Sequence, residues 1–508
     1  MKENVLKEEY IAAMDANNIT IYDDRKQFQK EQDDLLFTIL DNRYFKTWLP
    51  EQPGVDLPPA GVVEIYITAK CNQKCEYCYL QNFESSLYPP EADNHDKIIK
   101  NLKAFFDWLL ENNYQIPSIE YYGGEIWHSS FGMEILDITL DYIDKGLRLP
   151  NGILLPTNGT FLESDKWTQE MQNRINAFRS RNVELVISIS IDGKVVEEAE
   201  RPRKNGARQD LDEWYDKVFT FAKKNHYGFH PMLSAKSAKY WIDNFKWWKQ
   251  MFRKYEIPID YLMLLEVRNN DWEDEDIKAY EDFCDYLMQD TISYYNGDYV
   301  EALEDLVNLN QTYRTDRENQ LLWSERAPYI PIFIAENKNL YGCTLATDLT
   351  LRLGDLAICP CHRTAYHKNL YGWFRQDENG KIIGIKANNP QQAIANLFTN
   401  RNQSILGCDT CYLNTICLGC CRGQSMEATK DPLRNDPKVC KFLKAKYKIV
   451  LKLYKKYGMI DWLEENMSKY HIAYYSTGKP ILDAYHAMEE EDKNEYLAKY
   501  RQDIYWTR

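Results

Sequence analysis

From Val62 to about Tyr295 the chain alternates short apolar runs with amphipathic stretches, the order expected of parallel strands joined by helices. The runs are VVEIYIT, SIEYYGG, GILLPTNG, VELVISISIDG, GFHPMLSA and DYLMLLEV. Between the first two, residues 96–113 carry Ile98, Leu102, Phe105, Phe106 and Leu109 on one helical face, and residues 165–181 also read as a helix. Six such units predict an α/β fold, a partial (β/α)6 barrel rather than a closed eightfold one. Chemistry in such folds sits at the carboxyl ends of the strands, so the residues that follow each run are the candidates for function.

The first run is followed by AKCNQKCEYCYL, which places thiols at Cys71, Cys75 and Cys78. With 13 cysteines in 508 residues, a given Cys-x3-Cys-x2-Cys is expected roughly 0.01 times by chance. Three thiolates this close are metal ligands. A structural zinc knuckle would need a fourth closed ligand, whereas an iron–sulfur cube on three cysteines leaves one iron open. The second run ends in Tyr122-Gly123-Gly124-Glu125, the third in Thr157-Asn158-Gly159 and the fourth in Ser190-Ile191-Asp192-Gly193, all at the same predicted mouth.

Composition narrows the function classes. Lys+Arg 62 against Asp+Glu 77 gives a net charge of −15, which argues against a nucleic-acid backbone as partner. No run of eighteen apolar residues occurs and MKENVLKEEY lacks an apolar core, so neither membrane span nor signal peptide is expected and the predicted location is cytoplasmic. Thirteen cysteines, an odd number, in a reducing compartment point to ligation rather than a disulfide framework.

Cys71-x3-Cys75-x2-Cys78, with Tyr77 before the last thiol, resembles the signature of the radical S-adenosylmethionine (SAM) enzymes, whose fold is a partial (β/α)6 barrel. The resemblance implies a [4Fe-4S] cluster on these three cysteines, with the fourth iron chelated by SAM. One electron then splits the sulfonium and yields a 5′-deoxyadenosyl radical that abstracts hydrogen from a substrate. It further implies that Gly123, Gly124 and Glu125 meet the ligand's ammonium, and that Ser190 lies near its ribose or carboxylate. Arg201 is the arginine that matches best, with Arg203 and Arg208 as rivals; the family's His-Asp pair before it is replaced here by EEAERPR.

A second cysteine block comprises Cys343, Cys359, Cys408, Cys411, Cys417, Cys421 and Cys440, with helical sequence beyond it. This order resembles the SPASM extension that carries two auxiliary clusters. The resemblance assigns Cys408, Cys411, Cys417 and Cys440 to one cluster and Cys343, Cys359 and Cys421 to the other, with Cys361 as the candidate fourth ligand or else an open iron. A pair of zinc sites is the competing reading of the block. Of the remaining thiols, Cys284 in YEDFCDYLM reads as a core residue, and Cys361 and Cys420 are candidate hydrogen donors. The expected domains are an extension at 1–61 ending in the linker QPGVDLPPAG, the barrel at 62–295, a bridge at 296–335, the SPASM domain at 336–445 and a helical tail at 446–508.

SPASM radical enzymes modify peptides and proteins. The expected function is a maturase that installs a thioether, C–C or C–O cross-link in a ribosomally made precursor peptide. A separate leader-recognition protein and an electron donor such as flavodoxin or ferredoxin are the expected partners. The alternative is a sulfatase-maturating enzyme, but such enzymes resemble one another in an Asp after the cysteine matching Cys359, where this chain has Pro360. A non-catalytic zinc scaffold is the reading from a different class. His128, His362, His367, Glu266 and Arg268 are the candidates to line the substrate cavity.

Overall fold

The computed structural model describes residues 25–40, 62–81, 94–206, 210–257, 261–262, 264–294, 349–365, 371–388, 408, 410–414, 416–417, 421–431, 434–466, 479 and 481–494. Cys343, His367, Cys420 and Arg208 lie outside these residues, as do the bridge at 296–335 and most of the extension at 1–61.

All six apolar runs contain strands: β1 (Val63–Tyr66), β2 (Ile119–Tyr122), β3 (Ile153–Thr157), β4 (Leu185–Ile189), β5 (Met232–Leu233) and β6 (Leu265–Glu266). β1 to β4 pair in parallel in chain order, and β5 pairs in parallel with β6. Phe229 joins the two groups through single parallel bridges to Ile189 and Leu262. β5 is far shorter than its apolar run GFHPMLSA. Pro231 has no N–H to offer a ladder, and the Met232 N–H is diverted to Asp192 Oδ1 at 2.8 Å.

The longer helices, in chain order, are α1 (Arg25–Leu40), α2 (His95–Glu111), α3 (Ser130–Asp144), α4 (Asp165–Arg179), α5 (Leu211–Asn225), α6 (Trp241–Tyr255) and α7 (Asp274–Tyr294). α2 is capped by Asn94, whose side chain accepts the Lys97 N–H at 3.0 Å, and it buries the apolar face read from the sequence. Val63, Ile65, Tyr121, Ile153, Leu155, Ile187 and Ile189 all enter the core that α2 to α6 cover. By strand alternation, Glu64, Tyr66, Glu120, Tyr122, Pro156 and Ser188 share the opposite, concave face.

Both edges of this open barrel are covered by the C-terminal half. β7 (Leu349–Arg352) pairs in parallel with β1, Val63 opposite Leu349 and Tyr66 opposite Arg352. β8 (Ala357–Cys359), β9 (Gly372–Gln376) and β10 (Ile382–Ala387) extend it by antiparallel pairing, giving one sheet in the order β10-β9-β8-β7-β1-β2-β3-β4. The region read as a separate domain thus shares a sheet with the barrel. α1 lies on β10, where Asp33 Oδ1 takes the Ala387 N–H at 2.9 Å and so satisfies an edge donor.

Further helices follow, among them α8 (Arg422–Thr429), α9 (Pro437–Lys456) and α10 (Met459–Asn466). α9 closes the β6 side against α7. Phe442 stacks on Trp272 with ring centroids 4.4 Å apart, and Lys446 Nζ meets Glu266 Oε1 at 2.5 Å with both side chains buried.

Candidate active site

The loops after β1, β2 and β3 are locked together at the carboxyl ends of the strands. Gly123 has φ +135°, and a Cβ on Gly124 would stand 1.8 Å from the Lys70 carbonyl oxygen, so only glycine lets these loops touch. The tight approach allows Gly124 N–H to reach Thr68 O at 2.6 Å and Glu125 N–H to reach Lys70 O at 2.8 Å. In this structure the glycines serve loop-to-loop packing.

That packing buries the Glu125 carboxylate, which accepts from Asn158 N at 2.7 Å, Thr157 Oγ1 at 2.8 Å and Trp127 N at 3.2 Å. Burial outweighs these bonds and pushes its carboxyl up to about 7. Asn158 also donates to Asn72 Oδ1 at 2.8 Å, and Asn72 donates to Thr160 Oγ1 at 2.9 Å. The Thr157-Asn158-Gly159 turn therefore supports the triplet loop directly.

Cys71, Cys75 and Cys78 are half-buried on that loop. Cys71 Sγ accepts from Gln73 N at 3.4 Å, and Cys78 N–H donates to Cys75 O at 3.1 Å. Burial, with Cys78 as a like-charged neighbour, raises the Cys71 thiol and takes Cys75 up to about 12. Cys71 and Cys75 are thus neutral at rest unless a cation compensates them.

The other side of the loop is laced to residues 200–204. Lys74 N–H donates to Pro202 O at 2.8 Å, Glu76 N–H to Glu200 O at 2.9 Å and Lys204 N–H to Asn72 O at 3.0 Å. Tyr77 donates its O–H to Asp192 Oδ2 at 2.6 Å and accepts from Arg201 Nη1 at 2.7 Å. Arg201 lies 3.9 Å from Asp192 and 3.7 Å from Glu197, and burial pushes the Asp192 carboxyl up to about 7. Arg201 and Tyr77 thus hold the triplet loop against the end of β4. Arg203, the rival, pairs instead with Glu163. Ser190 is fixed through its backbone, N–H to Thr157 O at 2.7 Å.

Sequence reasoning did not single out Asp192 and Glu197 as the partners that fix Arg201, nor Glu64. Glu64 accepts from His362 N at 2.7 Å, pairs with His362 Nδ1 at 2.6 Å and accepts from Thr350 Oγ1. The Tyr79 and Tyr122 rings lie 5.8 Å from that imidazole. The signal was present: a glutamate inside VVEIYIT, and another inside SIEYYGG, breaks an otherwise apolar run. Of the other cavity candidates, Glu266 is engaged by Lys446 and by Tyr280 Oη at 3.0 Å, on the face toward α7 and α9, with Arg268 3.9 Å away. His128 is half-buried at the end of the β2 loop.

The second cysteine block is partly assembled. Cys440 is raised by burial and then by Cys411 and Cys408, which places the three thiols near one another; Asn435 Nδ2 lies 3.1 Å from Cys408 Sγ. Cys417 packs beside Cys411 on one apolar cluster. Cys359 ends β8, buried, opposite Thr350. Cys361 is buried and caps the turn His362–Thr364, while Cys421 lies close enough to act on His362 and Arg363. Among the described residues no group of three or more His, Cys, Asp or Glu has metal-holding geometry. Cys284 is a buried thiol beside Tyr280, a core residue as expected.

A cysteine triplet directly after the first strand of a parallel barrel, wedged between a Gly-Gly-Glu loop and the end of β4, is a specific combination. The chain is similar to the radical SAM enzymes. No family model matches it. It is 27% identical over 197 residues to the antilisterial bacteriocin subtilosin biosynthesis protein AlbA of Bacillus subtilis, covering 35% of this chain and 39% of that protein. It is 28% identical over 147 residues to an uncharacterized protein of Methanocaldococcus jannaschii, covering 29% of this chain and 43% of that one. The similarity thus spans about two fifths of these relatives' length. Among solved structures, native anSMEcpe with bound AdoMet is matched at TM-score 0.46 and 14% identity, over 78% of this chain and 100% of that one. The same enzyme with AdoMet and the Cp18Cys peptide is matched at TM-score 0.45 and 14% identity, over 79% and 100%.

Proposed function

We propose that this chain is a radical SAM peptide maturase that removes hydrogen from a ribosomally made precursor peptide and installs a thioether, C–C or C–O cross-link. The observation that carries the reading is the half-buried triplet Cys71, Cys75 and Cys78 on a loop braced on both sides, by Asn72–Asn158 and by Tyr77–Arg201.

The donor set fits a cluster. Burial opposes deprotonation of Cys71 and Cys75, and a cationic metal group that compensates the charge makes such thiols favourable ligands. Cys71, Cys75 and Cys78 would hold a [4Fe-4S] cluster, and Glu125, ionised, would face the ammonium of SAM, with Ser190 alongside. When bound, these groups supply one-electron cleavage of a carbon–sulfur bond and a strong hydrogen-atom acceptor. The chain's own part is to fix the loop, to keep Glu125 dry and to cover both barrel edges so that water is kept from the reacting atoms. Cys408, Cys411, Cys417 and Cys440 would hold one auxiliary cluster, and Cys359, Cys421 and Cys343, with Cys361, another. The C-terminal region is then SPASM-like, and flavodoxin or ferredoxin would deliver electrons in the cytoplasm.

The similarity to a bacteriocin biosynthesis protein supports the peptide reading, as does Pro360 at the position of the sulfatase maturases' Asp. The test is anaerobic reconstitution followed by incubation with dithionite, SAM and a pool of synthetic peptides rich in Cys, Ser, Tyr and Lys. The expected result is about twelve irons per chain, three cubes of four, release of 5′-deoxyadenosine and peptides lighter by a pair of hydrogens. Conversion of Cys or Ser to formylglycine in a sulfatase-derived peptide would favour sulfatase maturation instead, and a colourless zinc protein would exclude both.

A further inference from the structure

The barrel lumen contains a histidine that none of the roles above uses. His230 immediately precedes β5 in space and sequence, separated from it only by Pro231. Its neighbour Phe229 bridges Ile189 and sits in the outer core against Trp248 and Phe252, so alternation turns His230 to the concave side. There Ser188 meets it. Ser188 is 6% exposed and lies between Ile187 and Ile189, which both point into the outer core, and its Oγ stands 2.8 Å from His230 Nδ1. Two residues further on, the Met232 N–H is held by Asp192, the carboxylate that also takes the Tyr77 O–H beside the cysteine triplet. The imidazole is thus anchored to the same framework as the triplet loop.

We propose that His230, oriented by Ser188, is the proton acceptor for the peptide substrate; this rests on the maturase reading above. Joining a C–H carbon to an S–H or O–H atom removes one hydrogen atom, one electron and one proton from the peptide. The hydrogen atom would be taken by the radical that bound SAM supplies, and the electron by an oxidised iron–sulfur cluster, if the cysteines hold one. The proton needs a base within the lumen. Among the described residues, three carboxylates and an imidazole near the mouth are already engaged: Glu125 by three donors, Asp192 by Tyr77 and Met232, and Glu64 with His362 Nδ1. With Nδ1–H donating to Ser188 Oγ, the Nε2 lone pair of His230 is left for the substrate, the arrangement of a base positioned by a second group. Burial holds this imidazole below its ordinary value, so it is neutral and able to accept.

The test uses the full-length, reconstituted protein with dithionite, SAM and the same peptide pool, and measures modified peptide per 5′-deoxyadenosine released. His230→Gln keeps a hydrogen-bonding group beside Ser188 but cannot take a proton. It is expected to go on releasing 5′-deoxyadenosine while modified peptide falls about 100-fold or more. In His230→Ala, added imidazole is expected to restore part of the modification, which a purely structural role would not allow. Ser188→Ala is expected to lower the same ratio by a smaller factor. Wild-type coupling in His230→Gln, or loss in His230→Ala that imidazole does not relieve, overturns the proposal. Absence of 5′-deoxyadenosine or of any modified peptide in the wild type instead overturns the maturase reading, and this inference with it.

Discussion

Glu125 is where three loops converge, and its protonation carries a consequence for stability. Its carboxyl stands at about 7 in the folded chain against an ordinary value of 4.5, because burial disfavours the charged form. The folded state therefore binds this proton more tightly than the unfolded one. The contribution is fully present below pH 4.5 and is lost as pH rises toward 7. In cofactor-free protein, urea unfolding of wild type and Glu125→Gln should show the wild type losing about 2 kcal/mol relative to the variant between pH 5 and pH 8. A constant difference across that range would mean that the carboxyl is not desolvated. The motif around Glu125 was legible in the sequence, but the job of its glycines was not. Gly-Gly-Glu announces a close approach, yet the backbone being approached, Thr68 to Lys70, belongs to a strand loop more than fifty residues earlier.

At the scale of elements, the β6 edge is closed by one buried ion pair and an aromatic stack. Lys446 and Glu266 are each under a tenth exposed, so among the described residues removing Lys446 leaves the buried carboxylate only the more distant Arg268, at 3.9 Å, as a cationic partner. Lys446→Met should destabilise the protein by about 3–5 kcal/mol, whereas Lys446→Met with Glu266→Met should recover most of that loss. Thermal or urea unfolding of both variants checks it; equal losses in the single and double variants would show that packing, not charge, closes this edge. The six parallel strands and the buried face of α2 could be read from periodicity because each is a local pattern. β5 was overestimated in length because a proline and a carboxylate, Pro231 and Asp192, end its ladder early. Pairing of β7 with β1 could not be read at all, since the register that joins Val63 to Leu349 leaves no trace in either segment alone. Ser188 and His230 were invisible for the same reason: one looked like a strand serine, and the other lay beside a proline forty-two positions away.

For the molecule as a whole, the barrel is half of a larger sheet. A chain ending at residue 295 would bare the β1 edge and leave Glu266 without Lys446, and it is expected to aggregate where the full chain does not. Light scattering of the two proteins at matched concentration decides this, and a monomeric, folded fragment would contradict it. Among the described residues no helix is long and apolar enough to cross a membrane. The β1–β7 ladder also sets a clock for biosynthesis. Glu64 and its partner Thr350 are 286 positions apart, and ribosomes add about 5–20 residues per second. The nascent first strand therefore waits roughly 15–60 s for its neighbour, an interval in which a trigger-type chaperone, or slower codons, would have most effect on yield.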